Sequence, residues 1–455
     1  MNQTYSKKQK LHQLLVILIP ILITQLAMYS MTFIDTLMTG RYDSQDLAGV
    51  AIGSSLWVPV FTGLSGILLA VTPIVSHLIG AKKQSEDVAF SVIQGVYLSI
   101  IMAVLVFAGG AISLNLILNG MNLENRVQDT AFNYLAALST GLFPLFVYSV
   151  LRSFIDALGK TRVSMVITLL SLPINALFNY ILIYGKWGFP ELGGAGAGYA
   201  SSITYWLIMI ISFYIVHKNA PFSNYGVFRK LHAVSIGKWK EILMIGIPIG
   251  LSIFFETSIF SAVTLLMSSF ETAVIAAHQI ALNFASLLYM IPLSISMALT
   301  IVVGFEAGAA RFRDAKEYSW IGVAIAVIMA LICAAVLMLF PEEVASIYTK
   351  DAHVLDLTAA FLIYAMFFQL SDAIQAPVQG ALRGYKDVNV TFIMSLISYW
   401  VIGLPFGYYL ANYTNWGAYG YWIGLITGLA AGAITLTSRL IYLQNKKYPE
   451  SMKVG

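Results

Sequence analysis

The sequence predicts an all-α polytopic membrane protein, with twelve transmembrane helices arranged as two parallel six-helix repeats, or lobes, around a central cavity. Three observations carry that expectation. Hydrophobic residues make up 58% of the chain and charged ones 11%, with a mean hydropathy of +0.79, a composition too apolar to face water on all sides. Apolar runs of spanning length recur from end to end. The second half of the chain also echoes the first.

The runs cover 11–38, 49–79, 88–117, 130–156, 162–186, 194–217, 241–270, 273–304, 318–340, 355–382, 388–411 and 416–443. Each reaches the ~20 residues a helix needs to cross the hydrocarbon. Lys7, Lys8 and Lys10 precede the first run as in a signal peptide, but that run is too long and lacks a small-residue cleavage site, so it reads as an uncleaved span. With the N-terminus inside, every one of the 26 Lys and Arg except Arg41, Arg126, Lys186 and Lys350 falls on inner loops, on tails or at the inner ends of the runs. This asymmetry predicts that both termini are cytoplasmic and that the number of spans is even.

The longest polar connection, from His217 to Lys240, carries Lys218, Arg229, Lys230, Lys238 and Lys240. It divides an N-terminal lobe, 1–217, from a C-terminal lobe with a short cytoplasmic tail, 241–455, and leaves 218–240 as a cytoplasmic linker. An ungapped shift of 228 residues superposes Leu15 on Leu243, Ile17 on Ile245, Pro20 on Pro248 and Ile21 on Ile249, then Gly80 on Gly308 and Ala81 on Ala309. Both halves start on the same side, so the repeats are parallel and related by an axis along the membrane normal; transporters of that design bind substrate between their halves. Pro20 and Pro248 each remove a backbone hydrogen bond from a leading helix, which makes both positions candidate kinks.

Few polar residues lie inside the spans. Between Glu241 and Glu271 the only ionisable residue is Glu256, and a carboxylate so placed costs roughly 2.5–3.5 kcal/mol even on lenient insertion scales, so it faces protein or water and marks an ion or substrate path. Glu256 lies 15 residues past Glu241 at the cytoplasmic end of span seven, and Asp372 lies 11 residues before Arg383 at the cytoplasmic end of span ten, which puts both acids very roughly 16–23 Å deep. Two carboxylates at one depth offer hard oxygen ligands to sodium, or form a coupled pair holding one proton. The competing account, packing against hydroxyls such as Thr257 and Ser258, compensates a full charge poorly. Asp35 on span one is a third cation-coupling candidate, although Gly40 follows closely enough to place it near the outer interface instead. Asn175 and Asn179, one turn apart after Pro173, join Ser201 as a first-lobe polar site, with interhelical hydrogen bonding as an almost equal explanation. Phe254, Phe255, Phe284, Tyr289, Phe367 and Phe368 lie near the acids along their spans. Those that face a cavity would bind flat lipophilic cations.

Other signals fail on inspection. Gly159-Lys160-Thr161 ends like a phosphate loop, but the glycine required earlier is Phe154. The glycine-rich run Gly193-Gly194-Ala195-Gly196-Ala197-Gly198 opens a membrane span, where close helix packing explains it better than a dinucleotide, and Gly420, Gly424, Gly428 and Gly432 form a packing ridge on span twelve. The lone Cys333 excludes an internal disulfide. No nucleophile–base or transition-metal arrangement points to an enzyme, and the chain is expected to use no cofactor and bind no nucleic acid.

Taken together, the two six-span repeats, Pro20, Asp35, the Asn175/Asn179 pair, Glu256 and the run Gln379-Gly380-Ala381-Leu382-Arg383-Gly384 after Asp372 resemble the MATE (multidrug and toxic compound extrusion) transporters, in their bacterial NorM-like branch. The resemblance covers essentially the whole chain. It implies export of amphiphilic, often cationic drugs and dyes from a bacterial plasma (inner) membrane, driven by inward sodium or proton movement as two lobes rock. Glu256 and Asp372 would form the second-lobe cation site, while Asp35, Asn175, Asn179 and Ser201 would line the first-lobe site. Departures fall at Phe368, where the family can present tyrosine, at Ser201 in place of threonine, and at Asn179 where some relatives carry aspartate. Phe368 takes a coordinating hydroxyl from the second-lobe site, Ser201 keeps the oxygen, and Asn179 takes a charge from the first, which leaves the second lobe as the preferred coupling site. Sodium is the expected coupling ion, the proton its nearest rival, and a lipid or polysaccharide flippase of related fold the alternative function; a monomer is the expected working unit.

Overall fold

The structure is a computed structural model that describes residues 3–121, 123–230 and 232–447; the rest of the expected tail, 448–455, lies outside the described residues. Helix α1 spans Lys7–Tyr42 and carries Pro20 without a break. Helix α2, Ser44–Leu68, starts at Asp43, whose carboxylate accepts the backbone N–H groups of Gln45 and Asp46, as an N-cap does. Helix α3, Val71–Gly80, continues the same span after a break at Leu69. Pro73 explains the break, because its ring clashes with the carbonyl four residues back and it returns no N–H to it. Helix α4 covers Ser85–Gly120. The expected fourth span, 130–156, is not one straight helix. It consists of α5, Asn125–Ser139, and α6, Leu142–Ala157, bent by 51°, with Pro144 four residues after Thr140. Helices α7, Thr161–Ile183, and α8, Gly194–Lys218, complete the first half.

The second half holds α9, Ile236–Met267, α10, Thr272–Gly308, α11, Phe312–Leu339, the short α12, Pro341–Ser346, and α13, Ala352–Gly384. Helices α14, Val388–Leu396, and α15, Leu404–Tyr413, flank a π-helical stretch, Ile397–Gly403, where the Leu404 N–H reaches the Tyr399 carbonyl just ahead of Pro405. Helix α16 runs Ala418–Tyr442. Among the described residues eleven helical stretches are long and apolar enough to cross a membrane, and α5 with α6 makes a twelfth.

The chain groups into two compact units, Ile23–Gly250 and Met1–Leu22 with Leu251–Gly455. The division falls two residues past Pro20 in α1 and two past Pro248 in α9, at positions that the 228-residue shift superposes. In the unit that contains the C-terminus, Leu14, Ile17, Leu18 and Ile21 of α1 are buried with Leu299, Val302 and Val303 of α10 and Leu436 of α16. Lys10 anchors this segment, 3% exposed and 2.7 and 2.6 Å from Asp314 and Glu317 on α11. Lys10→Met leaves two carboxylates facing each other and is expected to destabilise the protein toward the lower end of the ~3–5 kcal/mol typical of a broken buried pair, since both acids keep some solvent. Thermal unfolding in detergent tests this. The triple variant that also carries Asp314→Asn and Glu317→Gln recovers most of the loss, and a triple variant no more stable than Lys10→Met contradicts the assignment.

Glycines set the helix spacing around α13 and α16. A Cβ at Gly384 would stand 2.8 Å from Cβ of Val303 on α10, and one at Gly420 2.5 Å from the Ala411 nitrogen. Gly424 meets Gly407 just as closely, so Gly420, Gly424 and Gly428 pack backbone against backbone inside this unit, while Gly432 faces the Gln375 side chain. In the Ile23–Gly250 unit the glycine-rich run serves the same purpose. Gly193 adopts φ +55°, a conformation glycine reaches without strain, the Gly194 N–H donates to Asp46 Oδ2 at 2.7 Å, and a Cβ at Gly196 would stand 2.7 Å from the Leu182 carbonyl.

Candidate functional site

Helix α13 places Asp372, Gln375, Gln379 and Arg383 at intervals of three and four residues, hence along one face. Its neighbouring face carries Gly380 and Gly384 against α10, which fixes the depth at which the polar face sits. Glu256 on α9 meets that face, and its Oε1 accepts a hydrogen bond from Gln379 Nε2 at 2.5 Å. The same amide nitrogen lies 3.4 Å from Ser395 Oγ, while Gln379 Oε1 accepts from Arg383 Nη2 at 3.1 Å. One helical turn away Gln375 Nε2 donates to the Tyr399 hydroxyl. Tyr289 of α10 lies within electrostatic reach of both acids.

Asp372 differs from its neighbours. It is 5% exposed, it interacts electrostatically with Glu256, and its Oδ2 is buried with no hydrogen-bond partner in the protein. Gln375 Oε1, on the next turn, is also buried without a partner. Buried polar atoms are nearly always satisfied, and a lone buried carboxylate oxygen is costly. Two unsatisfied oxygen acceptors, one of them on a carboxyl group within electrostatic reach of Glu256, are the donor type that suits a hard monovalent cation or a proton. Among the described residues no group of three or more His, Cys, Asp or Glu side chains is placed to hold a metal ion.

The polar residues of the other unit form a cluster around Asp35, in which Asn179 Oδ1 is buried without a hydrogen-bond partner. Asp35 Oδ1 accepts from Asn179 Nδ2 at 2.5 Å, and its Oδ2 accepts from Ser201 Oγ at 3.0 Å. Asn179 Nδ2 also donates to Asn175 Oδ1 at 3.0 Å, and Asn175 Nδ2 lies 3.4 Å from Ser201 Oγ. Both oxygens of Asp35 are thus compensated by neutral donors. Asp372 Oδ2 has no such donor.

The aromatic candidates divide. Phe255 lies against Phe254 and Phe392, and Trp400 stacks edge-on against Phe255 while donating to its carbonyl at 3.1 Å, which makes an aromatic wall next to Glu256. Phe368 is packed between Phe260 and Trp422 in the core, and Phe284 packs against the same core cluster. Phe367 and Phe254 are exposed. His278, a titratable residue within a span, accepts from Trp422 Nε1 at 3.0 Å and contacts Thr264 Oγ1 at 3.2 Å, a structural helix–helix contact. The sequence alone passed over Gln375, Tyr399 and Ser395; Gln379 entered it only as part of a motif, and Arg383 as part of that motif and as the inner end of span ten. The available signal was the three-and-four spacing from Asp372.

Comparison with known proteins decides the family. The MatE family profile matches the chain twice, over residues 20–181 and 248–409. The chain belongs to the MATE family. The two matches begin on Pro20 and Pro248 and are offset by the same 228 residues that superpose the halves. As a member it is a membrane transporter and not an enzyme. A Bacillus subtilis protein named "Probable multidrug resistance protein NorM" is 59% identical over 454 residues, covering all of both chains. Among solved structures, an outward-facing multidrug resistance MATE family transporter of the MOP superfamily superposes with a TM-score of 0.85 at 20% identity, over 97% of this chain and 99% of that one. A MOP superfamily transporter from Pyrococcus furiosus, described as having a binding pocket of reverse polarity that suggests a different function, superposes equally well, with a TM-score of 0.85 at 19% identity over 98% and 100% of the two chains.

Proposed function

We propose that this MATE protein exports amphiphilic, often cationic compounds across a bacterial plasma membrane by antiport with sodium, through rocking of its two lobes, with both termini cytoplasmic and a monomer as the working unit. Sodium entering from outside binds at Glu256 and Asp372, cancels their charge and weakens the hold on a cationic drug. Drug loaded from the cytoplasmic side then leaves outward as the ion is released. The observation that carries this reading is the buried, unpartnered Asp372 Oδ2 within electrostatic reach of Glu256, an acceptor the protein itself leaves unsatisfied. The name of the Bacillus subtilis relative supports the cargo class. The Pyrococcus furiosus transporter is a reminder that this fold accommodates pockets of different polarity, so the acidic character of the cluster here, with the Phe255 and Trp400 wall, is what favours a cation over lipid-linked anionic cargo. An ion drives the cycle only through its differential binding to the two states.

Proteoliposomes test the coupling ion. Uphill export of a fluorescent lipophilic cation is expected to follow an imposed sodium gradient at one fixed pH on both sides, and to stop when sodium is replaced by choline. Export that follows a proton gradient without sodium replaces sodium by the proton in this scheme.

A further inference from the structure

The Arg383 side chain is 7% exposed, and among the described residues it contacts no carboxylate directly. Its hydrogen bond goes to Gln379 Oε1, while the nitrogen of that same amide donates to Glu256. A buried guanidinium stays charged at any accessible pH, and placed this way it is electrostatically coupled to Glu256. An amide that accepts from a cation and donates to an anion is polarised in one sense, so each bond strengthens the other.

We infer that Arg383 is a resident counter-cation that acts through Gln379 to offset Glu256 when the site is empty, and so sets how tightly the coupling cation is held. The inference rests on Glu256 being part of the cation site, as proposed above. Arg383 is a positioning residue, since it touches the relay and not the ion. With the ion absent, Gln379 satisfies one oxygen of Glu256 and the fixed charge behind it lowers the cost of a buried carboxylate. With the ion present, two positive charges share one acid, and the repulsion speeds release. A site without Arg383 would hold its cation too tightly to turn over.

Equilibrium binding of radioactive sodium to the purified full-length protein tests this at fixed pH. The comparison uses the wild type and Arg383→Gln, Arg383→Lys, Gln379→Leu and Glu256→Gln. Loss of binding in Glu256→Gln supports the site itself, and unchanged binding there overturns the site whatever the arginine variants do. Given that control, Arg383→Gln is expected to bind sodium about tenfold or more tightly, the scale of one unit charge at moderate distance in protein, and to export drug more slowly. Arg383→Lys keeps the charge and stays near wild type, which a purely steric role for the guanidinium would not allow. Gln379→Leu, which cuts the relay with Arg383 in place, tightens binding several-fold and serves if Arg383→Gln fails to fold. If the wild type binds only protons, the carboxyl infrared titration in sodium-free buffer reads the same comparison, and the band of the Arg383→Gln variant moves to higher pH. Unchanged or weaker cation binding in both Arg383→Gln and Gln379→Leu overturns the inference.

Discussion

Glu256→Gln and Asp372→Asn each abolish ion-driven export, with drug efflux in proteoliposomes falling to the level of protein-free vesicles, while insertion and folding stay at wild-type levels. The expectation follows from what each oxygen does. Asp372 Oδ2 makes no hydrogen bond in the protein, so an amide there removes a charge and no Oδ2 contact. Glu256→Gln keeps the Oε1 atom that accepts from Gln379. What disappears is attraction for a cation, about 4 kcal/mol for a unit pair at 4 Å and an effective dielectric of 20, or roughly a thousandfold in ion affinity. Ion binding then no longer biases the transport cycle. The stability readout has the opposite sign. Asp372→Asn removes an uncompensated buried carboxylate and is expected to unfold at the same temperature as the wild type or higher. A variant that exports normally under a sodium gradient would remove Asp372 from the mechanism.

The second large effect is structural. A Cβ at Gly380 would fall on the Ser296 carbonyl oxygen and 2.6 Å from Ser296 Cα. Both groups are backbone, so neither can move aside without separating α13 from α10. The Thr300 hydroxyl that donates to the Gly380 carbonyl at 3.0 Å would lose its place as well. Overpacking usually costs about 1–3 kcal/mol and more where nothing can yield, and α13 carries Asp372, Gln379 and Arg383 together. Gly380→Val is therefore expected to reduce the yield of folded protein in the membrane severalfold, read by size-exclusion chromatography after mild detergent extraction. Gly109→Ala is the control, because no heavy atom lies within 4 Å of its added methyl. Equal yields for the two variants would contradict the packing described for α13.

Much of the fold was legible because bilayer length and repetition leave strong marks. Pro20 and Pro248 announced the repeat, and the family profile starts on both. The bend between α5 and α6 was not legible, since a proline inside an apolar run signals a missing hydrogen bond but not whether the helix absorbs it, as at Pro20, or breaks, as near Pro144. The charged residues of the candidate site could be read from the price of burying them. Their neutral partners could not, because a glutamine or tyrosine within a span has many uses and only tertiary packing selects one. Asp35, Asn175, Asn179 and Ser201 come together as one cluster, whereas Phe368, close in sequence to Asp372, turns into the core against Trp422. Helix periodicity could not place that ring, since a residue one turn from an acid can point either way once a second helix packs beside it.

The central claim is that an acid buried without a partner is kept for an incoming cation. Equilibrium binding of sodium to the purified protein at one fixed pH, compared with Asp372→Asn, tests it most directly. The account predicts saturable sodium binding in the wild type and its loss in the variant. Equal sodium binding by both proteins would contradict it.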